Sequence, residues 1–303
     1  MIDIKNLSKH YKETKALDDV SFSISKGSIF GFLGPNGAGK TTLIRIITGL
    51  LVQDMGQVFI DGQPLTKLST KRIGYLPEER GLYKNMKVGE QAVYLAVFKG
   101  LSKQEAEMRL KQWFEKLEIS DWWDKKVDEL SKGMQQKVQF VISSIHRPDI
   151  LILDEPLSGL DPINRDILGK EIVELNRAGT TIILSTHDMN SVELFCDEVM
   201  LMNKGKILLS GKVDEIRQTK KSFLYEFQFK HNDEMFMNKC NAVNANIISG
   251  EKGHYKVQLK NETEAKMILS SLLEQTELFS FKEILPSMND IFIESITNIN
   301  QSL

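Results

Sequence analysis

The chain has 303 residues, enough for two domains that each bury a core. Hydrophobic residues make up 41%, charged residues 26% and the net charge is −2, which disfavours a protein held on nucleic acid or acidic lipid by bulk charge. The two cysteines, Cys196 and Cys240, form no metal-ligand pattern and no disulfide scaffold. Without a bilayer-spanning apolar run or a signal peptide, we expect a cytoplasmic protein that meets a membrane only through a partner.

Strand and helix patterns alternate through the first part of the chain, which we place at residues 1–215. Short apolar or alternating runs predict strands at 20–24, 28–33, 150–153 and 180–185, and a hairpin at 200–209. Helical periodicity covers 42–51, 163–178 and 189–195, and long helical patterns fill residues 87–146. Because buried strands alternate with helices, we predict an α/β domain with a parallel sheet.

The second part of the chain, residues 216–303, has a different pattern. Eighteen of the 20 glycines lie at or before Gly211, so the second part has few tight turns. Its predicted elements are a strand at 222–230, a helix at 233–239, strands at 243–249 and 254–260, a helix at 262–274 and a strand at 277–285. This βαββαβ order predicts a small α+β ferredoxin-like domain. A last helix follows Pro286, with Ser287 as its N-cap and Asp290 three residues later.

A glycine-rich segment after the predicted strand 28–33 fits the phosphate-binding pattern G-x-x-x-x-G-K-[ST]. Its residues are Gly34, Pro35, Asn36, Gly37, Ala38, Gly39, Lys40 and Thr41, followed by Thr42. Glycines let backbone N–H groups surround phosphate oxygens, and a helix N-terminus adds partial positive charge. We predict that Lys40 reaches the β- and γ-phosphates of a nucleotide and that the Thr41 hydroxyl ligates Mg²⁺.

Two carboxylates, Asp154 and Glu155, come directly after the predicted buried strand 150–153. The carboxyl ends of parallel strands meet at one edge of a sheet, so these side chains should lie beside the glycine-rich segment. We predict that Asp154 holds Mg²⁺ and that Glu155 orients and deprotonates the attacking water. The alternative is a pair of solvated carboxylates in a turn, which the phosphate-binding segment upstream disfavours.

Further motifs indicate which nucleotide is hydrolysed. The base-reading pattern Asn-Lys-x-Asp of GTPases is absent, since the nearest segment, residues 203–206, lacks the aspartate. Five other segments make residues 1–215 resemble the nucleotide-binding subunit of an ABC transporter. They are a signature at 130–137, a D-loop at 158–161, a switch histidine at His187, a Q-loop at 75–78 and the aromatic residue Tyr11, 23 residues before Gly34.

The resemblance implies a fold, two cofactors and an assembly. The fold is a P-loop ABC ATPase domain with a mixed sheet core, N-terminal antiparallel strands and an α-helical subdomain at about 84–146. The cofactors are ATP and Mg²⁺. Tyr11 would stack on the adenine, and His187 would hydrogen-bond to the γ-phosphate. Because one chain carries one phosphate loop and one signature, two chains pair head to tail, as a homodimer or a heterodimer.

In such a dimer, the signature of one chain faces the ATP of the other chain. The signature residues are Ser131, Lys132, Gly133 and Met134. Ser131 is also a predicted N-cap for a helix at 132–145, and Asp161 of the D-loop would couple the two sites. Three positions depart from the common family pattern. Glu78 replaces a glutamine but keeps an oxygen that can meet Mg²⁺, Lys132 replaces a glycine, and Met134 replaces a glutamine.

Residues 75–83 and 131–134 are similar to a bacterial exporter branch that has ABC-2-type membrane partners and includes sodium-extrusion ATPases. The resemblance implies a separate permease, contacted by Tyr83, a peripheral position on the inner face of the cell membrane, and no nucleic-acid partner. Sodium is the leading substrate, while drugs, peptides and lipids stay open. The alternative is a soluble, non-transport ABC ATPase acting on ribosomes or nucleic acid, which the single cassette and low net charge disfavour.

Overall fold

The computed structural model describes residues 1–79, 81–230, 234–251, 253–273 and 278–301. The chain divides into two compact units, Met1–Val213 and Asp214–Leu303, so the division lies two residues before the boundary placed from the sequence. Among the described residues, no helix combines the length and apolar character that crossing a membrane requires.

The first unit contains two sheets and six helices among its described residues. Its elements are β1 (Ile2–Tyr11), β2 (Thr14–Ile24), β3 (Ile29–Leu33), α1 (Lys40–Ile47), β4 (Met55–Ile60), β5 (Gln63–Pro64), β6 (Ile73–Leu76), α2 (Val88–Phe98), α3 (Lys103–Lys116), α4 (Lys132–Ser144), β7 (Ile150–Asp154), α5 (Pro162–Arg177), β8 (Thr181–Ser185), α6 (Met189–Phe195), β9 (Glu198–Asn203) and β10 (Lys206–Lys212). Helix α1 ends earlier than predicted, since the left-handed Gly49 terminates it.

The sheet topology confirms the predicted mixed core and the N-terminal antiparallel strands. One sheet has the order β2-β1-β4-β5, and the other has the order β10-β9-β3-β8-β7-β6. Strand β3 pairs in parallel with β8 and β9, and β7 pairs in parallel with β6 and β8. Every residue of β3, β7 and β8 is buried, which accounts for their continuous apolar sequences. Strand β1 was not predicted because register shifts interrupt its alternation.

The helical subdomain forms its own apolar core between α2, α3 and α4. Buried side chains from all three helices meet there, including Ala92, Leu110, Phe114 and Val138. The ring of Trp123 packs edge-on against Phe114, with 5.3 Å between the ring centroids. This separate core gives α4, which begins at the signature, a rigid support.

The second unit confirms the ferredoxin-like prediction. Its elements are α7 (Val213–Thr219), β11 (Leu224–Phe229), α8 (Glu234–Ala242), β12 (Asn246–Glu251), β13 (His254–Gln258), α9 (Glu262–Leu273), β14 (Leu278–Ile284) and α10 (Met288–Gln301). The sheet order is β12-β13-β11-β14, and all three pairings are antiparallel. As predicted, Ser287 caps α10, since its Oγ accepts a hydrogen bond from the Asp290 N–H at 3.1 Å.

One predicted strand of this unit begins too early. The interval 243–249 was predicted as a strand, but β12 begins at Asn246 because residues after α8 complete a turn, with Ala245 N donating to Cys240 O at 2.9 Å. The predicted helix start at Asp233, helix end at Glu274 and strand start at Glu277 lie outside the described residues.

The close approach of β6 to α4 generates a stability prediction. A Cβ atom at Gly74 would lie 2.2 Å from the carbonyl oxygen of Ser143, so Gly74→Ala should force β6 and α4 apart. We expect a loss of about 1–3 kcal/mol in the free energy of unfolding, typical of overpacking. Chemical denaturation measures it. The control is Gly81→Ala, where the new Cβ meets no atom within 4 Å, and equal midpoints for both variants would contradict this packing.

Candidate nucleotide-binding site

The glycine-rich segment connects β3 to α1, and two of its glycines are required by close backbone contacts. A Cβ on Gly34 would lie 2.3 Å from the carbonyl oxygen of Met202, and one on Gly39 would lie 2.5 Å from that of Ala16. Both glycines also have positive φ angles, +145° and +110°. Only glycine allows this loop to pass so close to its neighbours.

The Lys40 side chain folds back into the loop. Its Nζ atom donates to the carbonyl oxygens of Gly34 at 2.6 Å and Pro35 at 3.2 Å, and the residue is 8% exposed. Burial lowers the pKa of Lys40, while the carboxylates of Glu155, Asp154 and Glu78 oppose that shift. The ammonium therefore lies close enough to these carboxylates for their charges to act on it, while its contact with phosphate stays a prediction.

Strand β7 ends in the two predicted carboxylates. Asp154 is 2% exposed, and its Oδ2 atom has no hydrogen-bond partner among the described residues. Burial raises the pKa of Asp154 above its usual value. Glu155 adopts a left-handed backbone conformation, with φ +51°, and its N–H donates to Ser185 O at 2.9 Å. The end of β7 is thereby fixed to the end of β8.

Glu155 and His187 are in direct contact. Glu155 Oε1 lies 2.7 Å from His187 Nδ1, and His187 follows the end of β8. The sequence predicted that both residues act at one site but did not predict that they hydrogen-bond to each other. The contact orients both side chains and leaves Nε2 as the second polar atom of the imidazole ring.

One cavity of about 580 Å³ collects these groups, a volume within the range of small-molecule sites. It is lined by Tyr11, Thr14, Lys15, Ala16, Asn36, Gly37, Ala38, Gly39, Lys40, Thr41, Thr42, Glu78, Asp154, Glu155, Ser158, His187 and Lys204. The predicted residues Gly34 and Pro35 are not in the lining, and they contribute instead through the carbonyl groups that hold Lys40. Tyr11 is 45% exposed at the cavity, so its ring has room to stack on a base.

Several lining residues were not predicted from the sequence. Thr14, Lys15 and Ala16 are the first residues of β2, directly after the β1–β2 turn, and Lys204 lies in the β9–β10 turn. Backbone hydrogen bonds hold these segments at the loop, since Gly205 N donates to Ala38 O at 3.0 Å and Asp18 N of β2 donates to Gly205 O at 2.9 Å. The only sequence signal was one basic residue in each segment, which is too common to identify a site.

The residues at the cavity fit a magnesium ion shared with a phosphate ligand. The unpartnered Asp154 oxygen, the Thr41 hydroxyl and Glu78 are oxygen ligands of the type that Mg²⁺ takes. The described residues include no group of three or more His, Cys, Asp or Glu side chains arranged to hold a metal by themselves. Mg²⁺ is bound through one or two protein carboxylates together with phosphate and water, and the three oxygen donors named above are of that kind.

The signature residues line a second cavity. It measures about 380 Å³ and is lined by Trp122, Ser131, Lys132, Gly133, Met134, Lys137, Gly159, Asp161 and Asn164. Ser131 is the N-cap of α4, as predicted, because its Oγ accepts from Met134 N at 3.3 Å. Asp161 caps α5, accepting from Asn164 N at 3.0 Å, a role that the sequence analysis missed. The two cavities share no lining residue, so the signature and the phosphate loop of one chain line different cavities.

Comparison with known proteins gives matches over both units. A family model described as ABC transporter matches residues 17–158, and one described as ATP-binding protein DrrA1-3-like, C-terminal domain, matches residues 211–296. YhaQ of Bacillus subtilis, an ABC transporter ATP-binding protein, is 40% identical over 298 residues, 98% of each chain. The linearmycin resistance ATP-binding protein LnrL of Bacillus subtilis is 28% identical over 302 residues, 97% of each chain.

A solved structure extends the comparison. A dimeric ATP-binding cassette in a post-hydrolysis state, bound to ADP and Pi, is 26% identical and has a TM-score of 0.65. The match covers 70% of this chain and 99% of that chain.

The buried Asp154 carboxylate should lower the stability of the ligand-free chain, although the predicted metal site needs it. Without ligands, Asp154→Asn should raise the free energy of unfolding at neutral pH by about 1–3 kcal/mol, the usual cost of an unsatisfied buried polar group. Burial raises the pKa of Asp154 in the folded chain above its value in the unfolded chain. Below the unfolded-state pKa the carboxyl is protonated in both states, so Asp154→Asn should give no gain in the free energy of unfolding. As the pH rises above that pKa, the gain should grow.

Thermal unfolding across a pH series measures this effect. The matched control is Asp166→Asn on α5, where the side chain is 63% exposed and should give no gain. A loss of stability in Asp154→Asn at neutral pH would show that the ionised carboxylate is well satisfied in the folded chain.

Proposed function

The chain belongs to the ABC transporter family as an ATP-binding subunit and is an ATPase, and we propose that it drives a separate membrane permease of the exporter type. The permease is proposed from the family, and the observation that carries the dimeric form of the ATPase is that two separate cavities hold different predicted site residues. Lys40, Asp154, Glu155 and His187 meet at one cavity, whereas the signature lies at another. A complete ATP site therefore needs the signature of a second chain.

In the proposed head-to-tail dimer, the N-terminus of α4 faces the γ-phosphate of the partner's ATP. The unpaired N–H groups of a helix N-terminus carry partial positive charge and bind anions. Ser131 adds a hydroxyl and Lys132 adds a cation at the same point. The dimeric arrangement of the similar cassette supports this assembly.

Hydrolysis requires mainly positioning and charge stabilisation from the protein. Mg²⁺, held by Thr41 and Asp154 with Glu78 beside them, would neutralise charge on the β- and γ-phosphate oxygens. Lys40 would exchange its contacts with the loop carbonyls for phosphate oxygens. Glu155 would accept a proton from the attacking water, and His187, hydrogen-bonded to Glu155, would orient that water against the γ-phosphate.

The adenine contact is tested at Tyr11. Tyr11→Ala should raise the KM for ATP by about tenfold or more, because base–aromatic stacking contributes roughly 1–3 kcal/mol. Tyr11→Phe, which keeps the ring, should leave KM near its original value. Steady-state ATPase assays measure the KM of both variants. An unchanged KM for ATP in Tyr11→Ala would show that Tyr11 does not stack on the adenine.

The proposed permease contact lies on the helical subdomain. Three aromatic side chains are well exposed there, Tyr83 at 60%, Tyr94 at 57% and Phe98 at 79%. Aromatic residues are enriched in protein–protein contacts, so these side chains suit a cytoplasmic segment of the permease at the inner face of the membrane. The relatives include the linearmycin resistance protein LnrL and NatA of Bacillus subtilis, which is 35% identical over 230 residues, so they favour neither a drug-like substrate nor sodium, and the proposed permease would select the substrate.

The central test uses Glu155→Gln. Without its general base, the variant should bind MgATP and dimerise but hydrolyse at least about 100-fold more slowly. ATPase assays measure the rate, and size-exclusion chromatography with and without MgATP measures dimerisation. The control is Glu107→Gln on α3, whose side chain is 43% exposed and outside both cavities.

The same variant identifies the partner. Tagged Glu155→Gln protein with MgATP should capture a polytopic membrane protein from detergent-solubilised membranes. A near wild-type ATPase rate would contradict the role of Glu155. Capture of ribosomal or nucleic-acid partners without a membrane protein would contradict the transporter proposal and support a soluble ABC ATPase.

A further inference from the structure

A short loop, residues 186–188, connects the buried strand β8 to helix α6 and carries His187, and we call it the histidine loop. Its first residue, Thr186, donates its backbone N–H to strand β3 at 3.2 Å. Its last residue, Asp188, is the N-cap of α6 and accepts from Asn190 N at 3.1 Å. The His187 side chain is 67% exposed, so its position at the nucleotide cavity depends on how the two ends of this loop are held.

Arg165 of α5 contacts the second end of the histidine loop. Its Nη1 atom lies 3.0 Å from Asp188 Oδ2, and Ser191 Oγ donates to the same oxygen at 2.7 Å. The serine contact lies within α6, whereas the arginine contact joins the loop to a different helix. The Arg165 and Asp188 side chains are 44% and 24% exposed. Because ion pairs this exposed contribute little to the free energy of unfolding, little fold stability is expected from this one.

The same face of α5 also holds the other end of α6. One helical turn after Arg165, a Cβ atom on Gly169 would lie 2.5 Å from Phe195 Cζ, so the two helices are in close contact there. Phe195 is the last residue of α6, and Asp188 caps its start. Helix α6 is therefore held on α5 at both ends, by close packing at Phe195 and by opposite charges at the end that follows His187.

The place of Arg165 in α5 disfavours a role within its own helix. Helix α5 begins at Pro162, so Arg165 lies near the helix N-terminus, where a cation is unfavourable for the helix dipole. The N-terminus is capped by Asp161, which accepts from Asn164 N at 3.0 Å. The contribution of Arg165 is therefore its contact outside α5, with the histidine loop.

We propose that Arg165 is a positioning residue for hydrolysis, because it fixes the histidine loop where His187 meets Glu155. His187 Nδ1 lies 2.7 Å from Glu155 Oε1, a contact that a small shift of the loop breaks. Loss of the Arg165 charge leaves the loop its contacts within α6 but removes its attachment to α5 at this end. The inference rests on the proposed role of His187 in orienting the attacking water, since Arg165 lines neither cavity and acts only through this loop.

The test compares Arg165→Met, Arg165→Lys and Arg177→Met. Methionine keeps a long side chain without the charge, and lysine keeps the charge. Arg177 is the last residue of the same helix, is exposed and lines neither cavity, so it controls for the loss of a surface arginine. Steady-state ATPase assays give kcat and the KM for ATP, and thermal unfolding gives the melting temperature.

We expect Arg165→Met to lower kcat about tenfold and to leave the KM for ATP within about twofold, because the water is misplaced while the nucleotide contacts remain. The melting temperature should stay near that of the wild type, because the ion pair is exposed. Arg165→Lys should recover most of the lost rate, and Arg177→Met should behave as the wild type.

Asp188→Asn tests the contact from the other side, because asparagine removes the charge but still caps a helix well. It should lower kcat as Arg165→Met does, and the double variant should be no slower than either single variant, since both changes break one contact. Histidine ring NMR reports the loop directly. The His187 signals, identified by their absence in His187→Ala, should shift in Arg165→Met and Asp188→Asn but not in Arg177→Met.

A wild-type kcat in Arg165→Met, a raised KM at unchanged kcat, or additive losses in the double variant would overturn the proposal. A residue that only stabilised the fold would lower the melting temperature and leave the His187 signals of the folded protein unchanged. Failure of the proposed function is distinguishable, because His187→Ala would then hydrolyse ATP as fast as the wild type.

Discussion

The parallel pairing of β3, β8 and β7 is the constraint on which the site depends, because it brings the carboxyl ends of three buried strands to one edge. The phosphate loop follows β3, Asp154 and Glu155 follow β7, and His187 follows β8. Each group comes from a different part of the chain, and no local interaction could assemble them. The buried apolar strands hold them in fixed positions before any ligand arrives, which is what catalysis by positioning requires.

Electrostatics at this edge favour a bound ligand over the empty chain. Lys40 is a buried cation among the carboxylates of Glu155, Asp154 and Glu78, and Asp154 lacks a hydrogen-bond partner for one oxygen in the described part of the chain. Glu78, in place of the glutamine usual in the family, adds to the negative charge and so to the unfavourable ionisation of Asp154. A divalent cation with phosphate oxygens would satisfy these groups together. Without ligands, the folded chain is therefore less stable than a chain whose residues at these positions served stability alone.

The second cavity shows how one fold can carry two incomplete sites. Helix α4 has a separate apolar support in the helical subdomain, yet its first turns pack on residues that follow β7. The start of α4 thus packs on residues that follow Glu155 in its own chain, although the signature lies at a different cavity. In the proposed head-to-tail dimer each ATP would contact groups from both chains, so dimer formation would be part of the chemistry.

The sequence by itself determined the site motifs, the α/β class and the ferredoxin-like order of the second unit. These features depend on local signals, which are glycines at special backbone positions, apolar periodicity and helix caps such as Ser131 and Ser287. Only the tertiary structure decided that Glu155 contacts His187, that Lys15 and Lys204 line the cavity, and that Gln136 of α4 donates to the carbonyl oxygen of Pro156 after β7. These relations join residues distant in sequence through sheet pairing and helix packing, and no local pattern records which distant side chains will meet.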